Sequence, residues 1–179
     1  MHTYISLLRG INVSGKNRLP MPALTQLYQE LGCTYVQSYI QSGNIVFQSA
    51  NSMEALEEVI INTIREQFGY TIPVFVREVS FFKNIVANNP FPLEKLDFLY
   101  VTILKFPISK DLVSSVQLNQ WGGDEFMVCN NVVYVYCPNG YGRTRLNNNF
   151  FETKSKGCAT TRNWKTITEL LKIANTIPL

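Results

Sequence analysis

The sequence predicts an α+β chain made of two successive β-α-β-β-α-β runs, the second degenerate, followed by a C-terminal helix. Three observations carry this reading. Strand-like and helix-like segments alternate in the same order in both halves. Each half holds two short β-branched and aromatic runs joined by a turn sequence, Gln41-Ser-Gly-Asn44 in the first and Asn130-Asn131 in the second. A rigid break, Asn89-Pro-Phe-Pro92, separates the halves.

In the first half, Tyr4–Leu8 reads as a strand and Ala23–Leu31 as a helix, because Leu24, Leu27, Tyr28 and Leu31 recur at helical spacing before Gly32. Tyr35–Ile40 and Ile45–Phe47 form a hairpin across a turn whose Gly and Asn tolerate positive φ. Ser52 is placed to cap a helix over Met53–Phe68, with Leu56, Val59, Ile60, Ile64 and Phe68 on one face and Gly69 as its stop, and Ile72–Val76 is the last strand. That order is the split-βαβ, ferredoxin-like arrangement.

The second half begins after a connecting helix, Val79–Asn88. Phe98–Leu104 reads as a strand, Ser109 opens a short helix to Leu118, and Trp121-Gly-Gly123 is the turn out of it. Phe126–Cys129 and Val132–Tyr136 make the second hairpin, and a helix follows near Asn149–Lys156, where Asn149 and Glu152 have capping-box spacing and Gly157 would close it. The final strand is missing or very short, around Cys158–Thr160, and a helix starting near Thr161 carries Trp164, Ile167, Leu170, Leu171 and Ala174 at helical spacing. The organisation expected is a ferredoxin-like subdomain over 1–78, a connecting helix and linker over 79–95, a degenerate copy over 96–160 and a C-terminal helix over 161–179.

Composition excludes several classes. With 179 residues, 46% of them apolar, the chain can bury a substantial core. No apolar run approaches the length needed to span a bilayer and no charged leader precedes the first strand, so the expectation is a cytoplasmic protein without a membrane partner. Four cysteines without a C-x-x-C pair, and one histidine, argue for free thiols and against a zinc site or other metal centre. A two-residue turn at Asn130-Asn131 sets Cys129 opposite Val132 and Cys137 near Asp124, so these two should not pair with each other.

Charge is uneven along the chain. Residues 143–172 carry seven basic groups and two acids, whereas residues 54–125 carry six and ten. Arg143, Arg145, Lys154, Lys156, Arg162 and Lys165 either converge with Lys16 and Arg18 into a face that attracts anions or lie scattered on a solvated surface.

The stretch Gly10-Ile-Asn-Val-Ser-Gly-Lys16-Asn17 comes within one residue of the phosphate-cradling pattern G-x-x-x-x-G-K-[ST]. Asn17 replaces the magnesium-binding hydroxyl, and Pro20 and Pro22 prevent an unbroken helix from Lys16. No later strand-like run ends in the aspartate a metal would need. What remains is an anion-binding loop or a plain connection from strand to helix.

Three segments, Leu7-Leu-Arg-Gly-Ile-Asn-Val-Ser-Gly-Lys-Asn17, Tyr39-Ile-Gln-Ser-Gly-Asn-Ile-Val-Phe47 and Ala159-Thr-Thr-Arg-Asn-Trp164, together resemble the signature segments of the bacterial domain-of-unknown-function 1697 family. The resemblance covers nearly the whole chain and departs from the pattern at Ser14, where glycine is common, and Gln41, where asparagine is common. It implies a duplicated ferredoxin-like fold and no established reaction, cofactor or partner.

The candidate ligand-binding residues therefore rest on their own chemistry. Arg9 ends the first strand, and Asn12, Lys16, Asn17 and Arg18 lie in the loop after it, either facing an anion or bracing the loop. Ser42 and Asn44, with Gly43, either offer a small anion nest or only turn the hairpin. Arg162 and Asn163 are expected in the first turn of the last helix, capped by Thr160 or Thr161, where a bound anion or an internal salt bridge would offset the unfavourable position of Arg162. Trp164 is read as a core anchor. Tyr134, Tyr136 and Tyr141 lie beside Arg143 and Arg145, an arrangement that ferredoxin-like RNA-binding domains also use, although no run matches their signature. The lone His2 and the isolated Ser42 give no catalytic constellation. The expectation is a non-catalytic module that binds a phosphorylated small molecule or nucleic acid through a basic loop face, without a cofactor. The alternative is a protein-interaction module, including a homodimer, with an enzyme third.

Overall fold

The computed structural model describes residues 1–13, 15–117 and 121–178. They form an α+β structure in which every sheet pairing is antiparallel. The chain divides into two compact units, residues 1–84 with 169–179, and residues 85–168.

The first unit follows the order β1 (His2–Leu8), α1 (Met21–Glu30), β2 (Thr34–Tyr39), β3 (Asn44–Ser49), α2 (Met53–Phe68), β4 (Val74–Glu78), with α3 (Val79–Ala87) beginning directly after it. Its sheet has the strand order β2-β3-β1-β4. Alternation along the strands explains the core. Tyr4, Leu8, Ile45, Phe47, Val74 and Val76 face a layer made by Leu24, Leu27 and Tyr28 of α1 and Leu56, Ile60 and Ile64 of α2. A buried polar pair beside this layer is matched, Ser6 Oγ lying 2.7 Å from the Tyr28 hydroxyl. Burial pushes the Tyr28 phenol well above the usual tyrosine range. Ser52 caps α2 by accepting from the Ala55 N–H, and Gly69 ends it in the left-handed conformation, as the sequence predicts.

The second unit repeats the order: β5 (Leu99–Leu104), α4 (Lys110–Gln117), β6 (Glu125–Cys129), β7 (Val132–Tyr136), α5 (Asn148–Ser155) and β8 (Ala159–Asn163), followed by α6 (Trp164–Thr176). Its strand order, β6-β7-β5-β8, matches the first sheet position for position. Leu104, Val133, Val135, Cys137, Leu146, Phe151 and Ala159 form its core, with Trp121, Phe126 and Phe150 packed against it. A 3-10 turn, Leu93–Phe98, occupies part of the expected linker.

Several expectations are corrected here. The last strand is neither missing nor vestigial, since β8 pairs with β5 over Ala159–Asn163 and α6 starts at Trp164 rather than near Thr161. The cap of α6 is the Asn163 side chain, which accepts from the Thr166 N–H at 2.8 Å, and not Thr160 or Thr161. The cap of α5 is Asn147, accepting from Phe150 N–H at 3.1 Å. Glu152 does not close a box with Asn149; its carboxylate accepts from the Ala159 N–H at 2.8 Å and so ties α5 to β8. Lys156, in the left-handed conformation, ends α5 in place of Gly157. Ser109 does accept from the Leu112 N–H, as expected of a cap, while the expected helix end at Leu118 and the family departure at Ser14 fall outside the described residues.

All four cysteines are free, and Cys129 stands opposite Val132 in the second hairpin. Cys33 and Cys137 are buried, whereas Cys129 and Cys158 are exposed. A colorimetric thiol reagent should therefore modify two thiols in the folded protein and four after unfolding; rapid modification of all four in the native state would contradict the burial. Burial is also the main cause that pushes the Cys33 and Cys137 thiols from 9.0 to about 11. Their neutral forms favour folding, so this contribution is complete below the unfolded value near 9 and is lost as pH rises towards about 11. Alkaline titration monitored by circular dichroism should show stability declining through that window.

Candidate functional site

The loop after β1 is a braced finger. Gly10 (φ +70°) and Asn12 (φ +55°) turn the chain, and Val13 and Lys16 make a single β-bridge. The Asn12 side chain is fully used by the backbone: Nδ2 donates to Leu19 O at 2.8 Å and Gln41 O at 2.9 Å, and Oδ1 accepts from Leu19 N–H at 2.8 Å. Asn17 donates to Gly10 O at 3.1 Å. These bonds tie the finger to the β2–β3 turn, with Ile11 and Leu19 buried as its anchors. No helix begins at Lys16, since α1 opens at Met21 with Pro20 as its N-cap residue.

In the turn itself, Asn44 is buried and its Nδ2 donates to Tyr39 O at 3.0 Å and Ser42 Oγ at 2.9 Å. Arg9 is half-buried at the end of β1, and its backbone N–H donates to Pro73 O. Lys16 and Arg18 are exposed. Asn12, Gly15, Arg18, Leu19, Pro20 and Gln41 line a shallow hollow of about 440 Å³, with Arg18 the only cation among the described lining residues.

In the second unit, two turns and an extended segment build a different hollow. Asp124 N–H donates to Trp121 O, with Gly122 (φ +66°) and Gly123 (φ +95°) between them. Cys137 to Arg143 makes two successive turns, closed by Gly140 N–H to Cys137 O and Arg143 N–H to Gly140 O. From Arg143 the chain runs extended through Thr144 (φ −74°, ψ 146°). Thr144 and Leu146 are buried, whereas Arg143, which closes a 3-10 turn, and Arg145 are both exposed. The two guanidinium-bearing residues share one hollow of about 430 Å³ with Trp121, Gly122, Asp124 and Asn139.

Trp121 is the fixed wall. Its Nε1–H donates to Val116 O at 3.1 Å, and its ring meets Phe150 edge-on with centroids 5.2 Å apart. The Arg145 guanidinium lies over the indole, 5.3 Å from the centroid. Two cations outweigh the single Asp124 carboxylate, so the lining is net positive while carrying both signs.

Arg162 is placed differently from the expectation. It belongs to β8, not to the first turn of α6, and is 9% exposed. Its Nη1 donates to Thr160 Oγ1 at 3.0 Å and Thr161 O at 2.8 Å, and burial lowers its pKa to about 10. The offset sought for a cation in a helix first turn is therefore not needed. Asn163 is engaged as the α6 cap. Of the three tyrosines near Arg143 and Arg145, Tyr134 is buried with its hydroxyl donating to Ile85 O, and Tyr141 donates to Thr161 Oγ1 at 3.0 Å. Trp164 is buried, as read from its spacing.

Thus Arg143 and Arg145 are brought together, Asn12 and Arg18 line a separate hollow of the first unit, and Asn17, Ser42, Asn44, Arg162 and Asn163 are held in hydrogen bonds that shape their own elements. Trp121, Asp124 and Asn139 were missed as lining residues. The signal available was the pair of turn sequences, Trp-Gly-Gly-Asp and Pro-Asn-Gly-Tyr-Gly, that flank the second hairpin on either side. No group of His, Cys, Asp and Glu suited to a metal ion occurs among the described residues. No helix among them is long and apolar enough to cross a membrane.

Residues 1–134 match the family described as Protein of unknown function (DUF1697). Among solved structures, a conserved bacterial protein from Streptococcus pneumoniae is similar in fold, with a TM-score of 0.76 at 23% identity, over 97% of this chain and 98% of that one. Comparison with curated proteins gives no match.

Proposed function

Because this chain belongs to the DUF1697 family of unknown function, its activity has to be argued from its own residues, and we propose that it is a non-catalytic cytoplasmic module binding a phosphorylated small molecule in the hollow of the second unit. The observation that carries this reading is that Arg143 and Arg145, exposed on either side of the buried Thr144, line one hollow. Guanidinium groups bind phosphate oxygens through forked, charge-assisted hydrogen bonds, each contributing roughly 1.5 to 3 kcal/mol. A hollow bounded by two turns favours a small molecule over nucleic acid, which needs basic groups spaced along a track. We read the two units as ferredoxin-like copies, the support being the identical strand orders of their sheets and the identical order of their elements.

The test is thermal unfolding of the full chain against sugar phosphates and nucleotides at low and moderate salt. At least one phosphorylated compound should raise the midpoint, since a ligand at a hundred times its dissociation constant stabilises by about 2.7 kcal/mol. Arg143→Ala combined with Arg145→Ala should abolish that shift, and Arg18→Ala should leave it in place. The reading fails if no phosphorylated compound shifts the midpoint, or if the shift survives in the double variant.

A further inference from the structure

The lining of the second-unit hollow is bipolar, and that constrains what fills it. The lining holds the Asp124 carboxylate as well as the two arginines, so a ligand that is only an anion leaves Asp124 unmatched and is repelled by it. At about 430 Å³ the hollow also falls within the roughly 300–1,000 Å³ span of small-molecule sites, far larger than one phosphoryl group needs. The ligand should carry hydrogen-bond donors besides its anion.

The donors can be specified further. An ionised carboxylate only accepts, and its two oxygens suit two adjacent N–H groups. The Asn139 amide supplies N–H donors as well as an acceptor. Gly122, which lines the same hollow, presents bare backbone, and a Cβ added there would meet nothing within 4 Å. That leaves one wall without side chains, suited to a flat ring. Among the common heterocycles of phosphorylated metabolites, guanine presents two neighbouring donors, N1–H and the N2 amine, beside the O6 acceptor. Adenine offers a single exocyclic donor on that edge. Resting on the proposal that this hollow takes a phosphorylated ligand, we infer that the ligand is a guanine nucleotide, its phosphate on Arg143 and Arg145, and its base edge on Asp124 and Asn139. Of the two arginines, Arg145 is laid over a Trp121 ring that is itself hydrogen-bonded to Val116 O.

Isothermal titration of the full chain with guanosine, inosine and adenosine 5′-monophosphates, ribose 5-phosphate and inorganic phosphate, at one salt concentration, tests this. Inosine monophosphate differs from the guanosine compound only by lacking the N2 amine. The guanosine compound should bind at least about tenfold more tightly than the inosine or adenosine compound, the discrimination expected when a charge-assisted hydrogen bond is lost. Asp124→Asn, on an exposed turn, should erase that preference. Equal affinity for all nucleotides and ribose 5-phosphate, lost in the Arg143 and Arg145 double variant, would overturn the guanine assignment and leave the phosphate site standing. Binding of none of the five compounds would overturn both. A preference for guanosine monophosphate that persists in Asp124→Asn would remove Asp124 from base recognition and overturn the inference as stated.

Discussion

Glu57→Ala is expected to lower the stability of the first unit by about 3–5 kcal/mol, the loss typical when one partner of a buried ion pair is removed. Glu57 lies on α2 and is only 6% exposed. Its Oε1 accepts from the Val76 N–H at 3.0 Å and from Arg77 Nη1 at 2.7 Å. β4 is an edge strand, paired only with β1, so the carboxylate covers a backbone donor that the sheet leaves open. Truncation leaves that N–H without its acceptor and takes the counter-charge from the Arg77 guanidinium, which keeps its bond to Val76 O and its place over the rings of Phe75 and Phe81, 5.9 Å from each centroid. Urea unfolding is the measurement. Glu57→Gln keeps an acceptor for Val76 and should cost less, and Glu57→Leu with Arg77→Met should recover much of the loss, because a buried pair stabilises little over well-packed apolar groups. A cost below about 1 kcal/mol for Glu57→Ala would show that water replaces the carboxylate freely, which the burial does not allow.

Gly43→Ala should cost about 2–5 kcal/mol, from two sources that a control can separate. Gly43 sits at φ +74°, where a Cβ costs roughly 1–2 kcal/mol. That added atom would also stand 2.8 Å from Leu8 Cβ and 2.8 Å from Ile11 Cδ1. Ile11 can rotate, but Leu8 Cβ moves only with its backbone, whose N–H is bound to Gly43 O at 2.8 Å, so overpacking adds roughly 1–3 kcal/mol. Gly69 has the same φ, +74°, with nothing within 4 Å of its virtual Cβ. Gly69→Ala should therefore show the backbone cost alone. Equal losses at both positions in parallel unfolding curves would mean that the contact with β1 and the finger loop is relieved without effect.

How much of this was legible in the sequence differs between elements. α2 was readable to its limits, because Ser52, a five-residue apolar face and Gly69 all report on the same helix through local chemistry. Both hairpins were readable too, since β-branched runs flank their turn residues. β8 was not. Its Thr-Thr-Arg-Asn run lacks apolar residues, and a buried arginine in a strand looks from sequence alone like a surface cation. What makes this run a strand is long-range pairing with β5, some sixty residues away, together with Glu152 holding the Ala159 N–H. The hollow was half legible. The Arg143 and Arg145 charges were visible, but their sharing one hollow on either side of the buried Thr144 was not, and the contributions of Trp121, Asp124 and Asn139 depend on the two turns being held by the β6–β7 hairpin.

The strand order also bears on how the chain is made. In the first sheet β1 is an inner strand, flanked by β3 and β4, although both follow it in the sequence. Its apolar run therefore waits unpaired until about residue 49 has emerged for one side and residue 78 for the other. Gln48 then donates to Pro178 O at 2.6 Å, a bond to a residue 130 positions further along the chain. A nascent chain of this kind spends its elongation with sticky strand edges exposed, the condition in which incomplete chains are prone to associate wrongly.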